Sequence, residues 1–140
     1  MSALTRFFFR QDVTCRSPAE IIGWWEARRL PYNLAVGSTG LVTLALSYLI
    51  SWLPPASLPA PPLLPALAMS AAYGVMANVC YTSGWLVELA LRRGGGSELE
   101  PVGPALVRYG FVFSIGLTLF PVALLLMFKV VRLAWWVFGL

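Results

Sequence analysis

The segment YNLAVGSTGLVTLALSYLISWL, residues 32–53, decides the fold because it contains 22 consecutive residues without a charged side chain. A helix needs about 20 mostly apolar residues to cross the hydrocarbon core of a bilayer. The segment belongs to a longer uncharged run, residues 30–87, which is long enough for two spans and a turn. Residues 109–128 form another uncharged run. We therefore predict an all-α integral membrane protein with three transmembrane helices.

The composition of the whole chain agrees with this class. Of its 140 residues, 59% are hydrophobic and 11% are charged, whereas soluble domains carry about 25% charged residues. Histidine is absent, which removes the commonest general base and metal ligand. We predict that the protein is not an enzyme and has no metal or cofactor. Because its arginines flank the apolar runs, the net charge of +4 favours anionic lipid headgroups over nucleic acid as a partner.

Turn-forming and charged stretches divide the chain into segments. The stretch SPAE, residues 17–20, has the pattern of a capping box and should start a helix. We predict that residues 1–31 form a cytoplasmic arm and an interfacial amphipathic helix, which ends or kinks at Pro31. The remaining predicted segments are a first span at 32–53, a proline-rich hairpin at 54–65, a second span at 66–91, a polar glycine-rich loop at 92–104, a third span at 105–128, and a tail at 129–140 that either extends the third helix or lies along the interface.

The basic residues predict the orientation of these spans. With three spans, eight of the ten Lys and Arg residues fall on the N-terminal side, and only Lys129 and Arg132 fall on the other. Because positive charge marks the cytoplasmic side, we predict a cytoplasmic N-terminus.

The stretch WWEARR, residues 24–29, is the densest patch of tryptophan and arginine in the chain. Two Trp–Arg pairs at a spacing of four can each stack, which contributes about 0.5–1 kcal/mol when exposed. We predict an anchor in the headgroup layer, where tryptophan is enriched, and keep recognition of a specific lipid or protein as an alternative. The predicted interfacial residues are Trp24, Trp25, Arg28, Arg29, Trp135 and Trp136.

Small and polar residues recur at helical spacing along the spans, where they let helices approach closely in lipid. The predicted helix-packing residues are Gly40, Thr43, Ser47, Gly74, Asn78, Tyr81, Gly110 and Ser114. Asn78 lies near the middle of its span and should form an interhelical hydrogen bond. Alternatively, Asn78 and Glu88 line a polar path for an ion or substrate. Glu88 can instead form a salt bridge with Arg92 or another arginine at the membrane boundary.

Two segments, WWEARRLPYN at residues 24–33 and NVCYTSGWLVEL at residues 78–89, together resemble a group of short bacterial inner-membrane proteins. Members of that group carry a WWExRRLxYN-like start before the first span and an NxxYTxGWxxEL-like second span. The resemblance implies a bacterial source and the inner membrane, and it implies no particular activity.

From these observations we predict a non-catalytic membrane protein that acts through helix packing. It is either an accessory subunit of a larger membrane complex or a homo-oligomer. A small homo-oligomeric channel or transporter, with the second span lining its path, is the main alternative. A lipid-binding sensor or enzyme that uses the Trp/Arg patch is the further alternative.

Overall fold

Three long α-helices make up the regular structure of the chain. The computed structural model describes residues 17–54, 60–95 and 102–139, and no strand occurs within these ranges. The helices are α1 (Pro18–Trp52), α2 (Leu63–Gly95) and α3 (Gly103–Phe138). Each is long and apolar enough to cross a membrane, which confirms the all-helical prediction with three candidate spans. Most of the N-terminal arm and parts of both loops lie outside the described residues.

The first turn of α1 forms the predicted capping box. The backbone N–H of Glu20 donates to Ser17 Oγ at 3.4 Å, and the backbone N–H of Ser17 donates to Glu20 Oε2 at 2.7 Å. Pro18 occupies the first helical position, where its missing N–H costs no hydrogen bond. The local sequence thus determines where α1 begins.

α1 continues through Pro31, where the sequence predicts an end or a kink. A proline inside a helix removes one backbone hydrogen bond and costs about 3 kcal/mol. Aromatic side chains on both sides of Pro31 pack against the same residue of α2. The ring of Tyr81 lies 5.2 Å from that of Trp25 and 4.7 Å from that of Tyr32. This packing holds both halves of α1 against α2, so one helix replaces the predicted interfacial helix and separate span.

α3 extends ten residues past the predicted end of the third span. Residues 129–138 continue the helix, which is one of the two arrangements that the sequence allows for the tail. Gly139 ends the helix with a φ of 65°, a left-handed conformation that glycine adopts without steric cost.

The buried core lies at the end of the bundle where α1 and α3 begin and α2 ends. There α1 packs against both other helices. The residues that form the core are Ile21, Trp24, Trp25, Tyr32, Val36, Tyr81 and Val107. Toward the opposite end, α1 and α2 separate and leave a groove between them.

The far end of α1 is capped by a side chain from α3. Lys129 Nζ donates to the backbone carbonyl oxygen of Leu53, the C-cap residue of α1, at 2.5 Å. The last turn of α1 has no basic residue of its own, so Lys129 supplies the positive charge that the C-terminal end of a helix attracts. This contact ties the ends of α1 and α3 together at the level of the hairpin.

Candidate functional site

A buried carboxylate joins α1 to α2 inside the core. Glu88 is 0% exposed and Trp25 is 2% exposed. Trp25 Nε1 donates to Glu88 Oε2 at 2.7 Å, and the Tyr81 hydroxyl donates to the backbone carbonyl oxygen of Trp25 at 2.6 Å. A Cβ atom at Gly84 would lie 2.5 Å from Trp25 Cη2. Only a glycine at position 84 therefore leaves room for this indole ring.

The two Trp–Arg pairs expected from the sequence have different outcomes. Arg28 Cζ lies 3.8 Å from the centre of the Trp24 ring, so this pair stacks as its spacing predicts. Arg29 Cζ instead lies 5.5 Å from the ring of Tyr81 on α2. Arg29 Nη2 donates to Glu26 Oε1 at 2.7 Å and to Thr82 Oγ1 at 3.0 Å. Arg29 therefore bridges α1 and α2 rather than stacking on its own helix.

The structure places most of the predicted interfacial patch inside the protein. Trp24, Trp25 and Arg28 are buried in the core, and not on the outer surface where the sequence locates them. The reason is that α1 continues through Pro31, so the face that carries these residues is the face that packs on α2 and α3. Trp135 and Trp136 are exposed on the extension of α3. Their contact with lipid headgroups stays a prediction.

Several of the predicted packing residues lie between α1 and α3. Thr43 Oγ1 donates to the backbone carbonyl oxygen of Thr118 at 3.0 Å, and a Cβ atom at Gly40 would lie 4.0 Å from Thr118 Cγ2. The hydroxyl groups of Tyr32 and Ser114 are 2.8 Å apart and share a hydrogen bond. Small and hydroxyl side chains thus bring these two helices together.

The remaining packing residues are less enclosed. Ser47 donates to the carbonyl oxygen of Thr43 on its own helix at 2.7 Å. Cβ atoms at Gly74 and Gly110 would meet no atom of the described residues within 4 Å, so neither glycine is needed for close packing among the described parts of the three helices.

The mid-span amide of Asn78 pairs with the amide of Asn33. Asn33 Nδ2 donates to Asn78 Oδ1 at 3.1 Å, and Asn78 Nδ2 donates to Asn33 Oδ1 at 2.9 Å. This is the interhelical hydrogen bond expected for Asn78, but sequence reasoning missed its partner. The signal was present, since these are the only two asparagines of the chain and an antiparallel hairpin brings them to a similar depth.

The residues of the predicted polar path are separated in the structure. Glu88 is enclosed by the core, whereas Asn78 lies at the edge of the groove. Arg92 lies in the last turn of α2, one helical turn beyond Glu88. The described contact of Glu88 with Trp25 makes it part of the α1–α2 interface.

The groove between α1 and α2 has a volume of about 640 Å³, and α3 forms its floor. The Asn33–Asn78 pair closes one end. At the other end, the hydroxyl group of Tyr48 donates to the backbone carbonyl oxygen of Pro61 at 2.8 Å. Gly37, Gly40, Leu44, Ser47, Leu67, Ser70, Tyr73 and Thr118 are among the lining residues.

An exposed side of α2, next to the groove, carries a second and shallower depression, which shares Gly74 and Asn78 with the groove. Its lining residues recur every three or four positions, so they form one continuous face of the helix. We call it the α2 face, and it consists of Ala71, Gly74, Val75, Asn78, Val79, Thr82, Ser83 and Leu86.

Comparison with protein-family models finds no family that matches this chain, and comparisons with curated proteins and with solved structures find no match either.

Proposed function

We propose that this protein is a non-catalytic, multi-pass membrane protein that acts by packing its α2 face against a transmembrane helix of another subunit or of another copy of itself. The observation that carries the proposal is the composition and exposure of this face. α2 is the helix with the smallest buried share of its apolar window, at 6%. The exposed α2 face nevertheless carries small and polar residues in a continuous seam.

Such a seam suits another helix better than it suits lipid. Hydrophobic attraction does not drive helices together in a bilayer, so association depends on close packing and interhelical hydrogen bonds. Ala71, Gly74 and Ser83 allow close approach. Asn78 and Thr82 lie on the side of the seam next to α1, where they already bond to Asn33 and Arg29. The spacing of three and four residues along the seam is the spacing at which one helix packs into the groove of another.

Placement in a membrane is supported by the charged residues near the two ends of the bundle. Arg108 lies near the start of α3 and Lys129 lies level with the end of α1. The two positions are 21 residues apart in the sequence, which corresponds to about 32 Å at 1.5 Å per residue, close to the roughly 30 Å hydrocarbon core. We propose the bacterial inner membrane, with the arginine-rich end and the N-terminus on the cytoplasmic side.

The test is gentle purification from native membranes at natural expression, followed by native mass spectrometry. We expect the full chain to come out with stoichiometric foreign subunits or with further copies of itself. Ala71→Phe and Ser83→Phe, which crowd the α2 face, should release them. Ala123→Phe changes an exposed position of α3 in the same way and should not. A wild-type monomer, or equal behaviour of all three variants, would refute the proposal.

A homo-oligomeric channel is a second candidate, and the polar residues of the α2 face favour it. In a closed ring, Asn78, Thr82 and Ser83 would line a central path. This candidate predicts that Thr82→Val lowers ion flux into liposomes while the ring stays intact. Liposomes that contain the wild-type ring and show no flux would exclude it.

A further inference from the structure

We propose that the groove between α1 and α2 binds one acyl chain of an anionic phospholipid, whose phosphate group contacts Arg29. This inference depends on the proposed insertion in a membrane but not on a partner at the α2 face. It places the acyl chain in the groove and uses only Arg29 of the Trp/Arg patch, at the end of the groove where Arg29 bridges α1 and α2.

The shape of the groove fits a chain that ends inside it. Asn33 and Ser47 line its two ends on α1. They are 14 residues apart in the sequence, which corresponds to about 21 Å along the helix. One leaflet contributes half of the roughly 30 Å hydrocarbon core, or about 15 Å. The groove is therefore long enough to hold the whole length of an acyl chain. Its volume of about 640 Å³ lies within the range of ligand sites, about 300–1,000 Å³.

The closed ends of the groove favour a lipid chain over a partner helix. The Asn33–Asn78 pair joins α1 and α2 at one end, and the Tyr48–Pro61 hydrogen bond joins α1 to the hairpin segment at the other. A helix that crosses the membrane must continue past both levels. A lipid chain can enter from the side and stop before Pro61.

The end of the groove nearest the core offers donors for the polar part of the lipid. Arg29 lies one helical turn before Asn33, and its side chain is 31% exposed. It pairs with Glu26 on its own helix and bonds to Thr82 across the two helices. Its buried Nε–H has no hydrogen-bond partner among the described residues. The Asn33–Asn78 pair lies at the depth of the lipid esters if Arg29 lies at the depth of the phosphate. The apolar lining then begins where the acyl chain would begin.

The charge of this end of the bundle is complementary to an anionic headgroup. Among the described residues it carries more arginines than glutamates: the arginines are Arg28, Arg29, Arg92, Arg93 and Arg108, and the glutamates are Glu20, Glu26 and Glu88. A positive balance near the membrane surface attracts anionic lipids.

The experiment titrates the delipidated full chain in detergent with phosphatidylglycerol or phosphatidylcholine and counts bound lipids by native mass spectrometry. Gly37→Leu fills the groove from a position where a Cβ atom meets no neighbour. We expect it to abolish tight binding of both lipids. Arg29→Gln should weaken phosphatidylglycerol binding about fivefold. It should weaken phosphatidylcholine binding less, because the choline group of that lipid already neutralises its phosphate.

Two matched variants separate these effects from general perturbation. Gly116→Leu makes the same change at an open position of α3 outside the groove, and Arg108→Gln removes an exposed arginine near the same end. Both should bind lipid as the wild type does. Equal binding by Gly37→Leu and Gly116→Leu would overturn the proposal. So would purification of Gly37→Leu from native membranes that has lost a protein partner but keeps its bound lipid.

Membrane insertion is checked by resistance to alkaline extraction on the membranes from which the chain is purified. A chain that resists extraction but binds no lipid refutes the groove proposal alone. A chain that is extracted refutes insertion itself.

Discussion

The indole nitrogen of Trp25 on α1 donates to the fully buried carboxylate of Glu88 on α2 at 2.7 Å. The two residues are 63 positions apart, and their contact lies in the core end of the bundle. The sequence predicts that the Trp/Arg patch at residues 24–29 is a surface anchor, whereas in the structure Trp25 of this patch forms a contact between two helices. Stability at this end of the bundle therefore depends on groups that the sequence presents as unrelated.

Removing the indole N–H should destabilise the bundle. We expect Trp25→Phe to lower the free energy of unfolding by about 1.5–3 kcal/mol, the range for a hydrogen bond to a charged group. Titration of the folded protein with sodium dodecyl sulphate in mixed micelles measures this change. Trp135→Phe alters an exposed indole and should change the unfolding free energy little. Equal effects of the two variants would contradict the assigned role of Trp25.

Gly84 should not tolerate even one added methyl group. In Gly84→Ala the new Cβ would meet the Trp25 ring at 2.5 Å, and the bond to Glu88 prevents the ring from turning away. Overpacking of this kind costs about 1–3 kcal/mol. Gly116→Ala is the matched control, because its Cβ meets nothing within 4 Å, and it should be neutral or slightly stabilising. The same micelle titration compares them, and an unchanged Gly84→Ala would show that the helices can move apart.

The amide pair should show energetic coupling. We expect Asn33→Leu and Asn78→Leu to be non-additive by about 0.6 kcal/mol, and by at most about 1.7 kcal/mol, as measured for other interhelical hydrogen bonds in membranes. A double-mutant cycle on the unfolding free energy gives this value. Asn33→Leu combined with Ser70→Ala should be additive, because these residues share no hydrogen bond. Additivity of the two asparagine substitutions would show that the pair contributes nothing specific.

Lys129 should stabilise the last turn of α1. Lys129→Met removes the donor to the Leu53 carbonyl oxygen. We expect the free energy of opening the last turn of α1 to fall by about 1–2 kcal/mol. Hydrogen exchange in the last turn of α1 should accelerate in this variant. Arg132→Met removes an exposed cation one turn further along α3 and should leave exchange in α1 unchanged. Similar exchange in both variants would rule out capping by Lys129.

Features that depend on neighbouring residues in the chain were predictable from the sequence. The capping box at Ser17 and Glu20 needs only four residues, and the three apolar runs need only their own length. The Trp24–Arg28 stack follows from a spacing of four on one helix. Each of these follows from helical geometry alone.

Features that depend on contacts between helices were not predictable in the same way. The sequence indicates an end or a kink at Pro31, because a proline disfavours a continuous helix at that point. The packing of Trp25 and Tyr32 on Tyr81, which holds α1 in place there, is a contact between helices and cannot be read from the sequence. If α1 is interpreted as two helices, the orientation of the Trp25 face relative to α2 and α3 is not determined. The partners of Trp25 and Asn78 therefore could not be assigned, although both residues were singled out.

The contact between Lys129 and Leu53 also bears on the order in which the protein is made. The two residues are 76 positions apart, so a ribosome that adds about 5–20 residues per second reaches Lys129 roughly 4–15 s after Leu53. Once Glu88 has been made, in the later part of that interval, the nascent chain contains both partners of the Trp25–Glu88 and Asn33–Asn78 contacts, while the far end of α1 still lacks its cation. The last helix to be synthesised, α3, thus supplies the cation that caps the end of the first helix, α1.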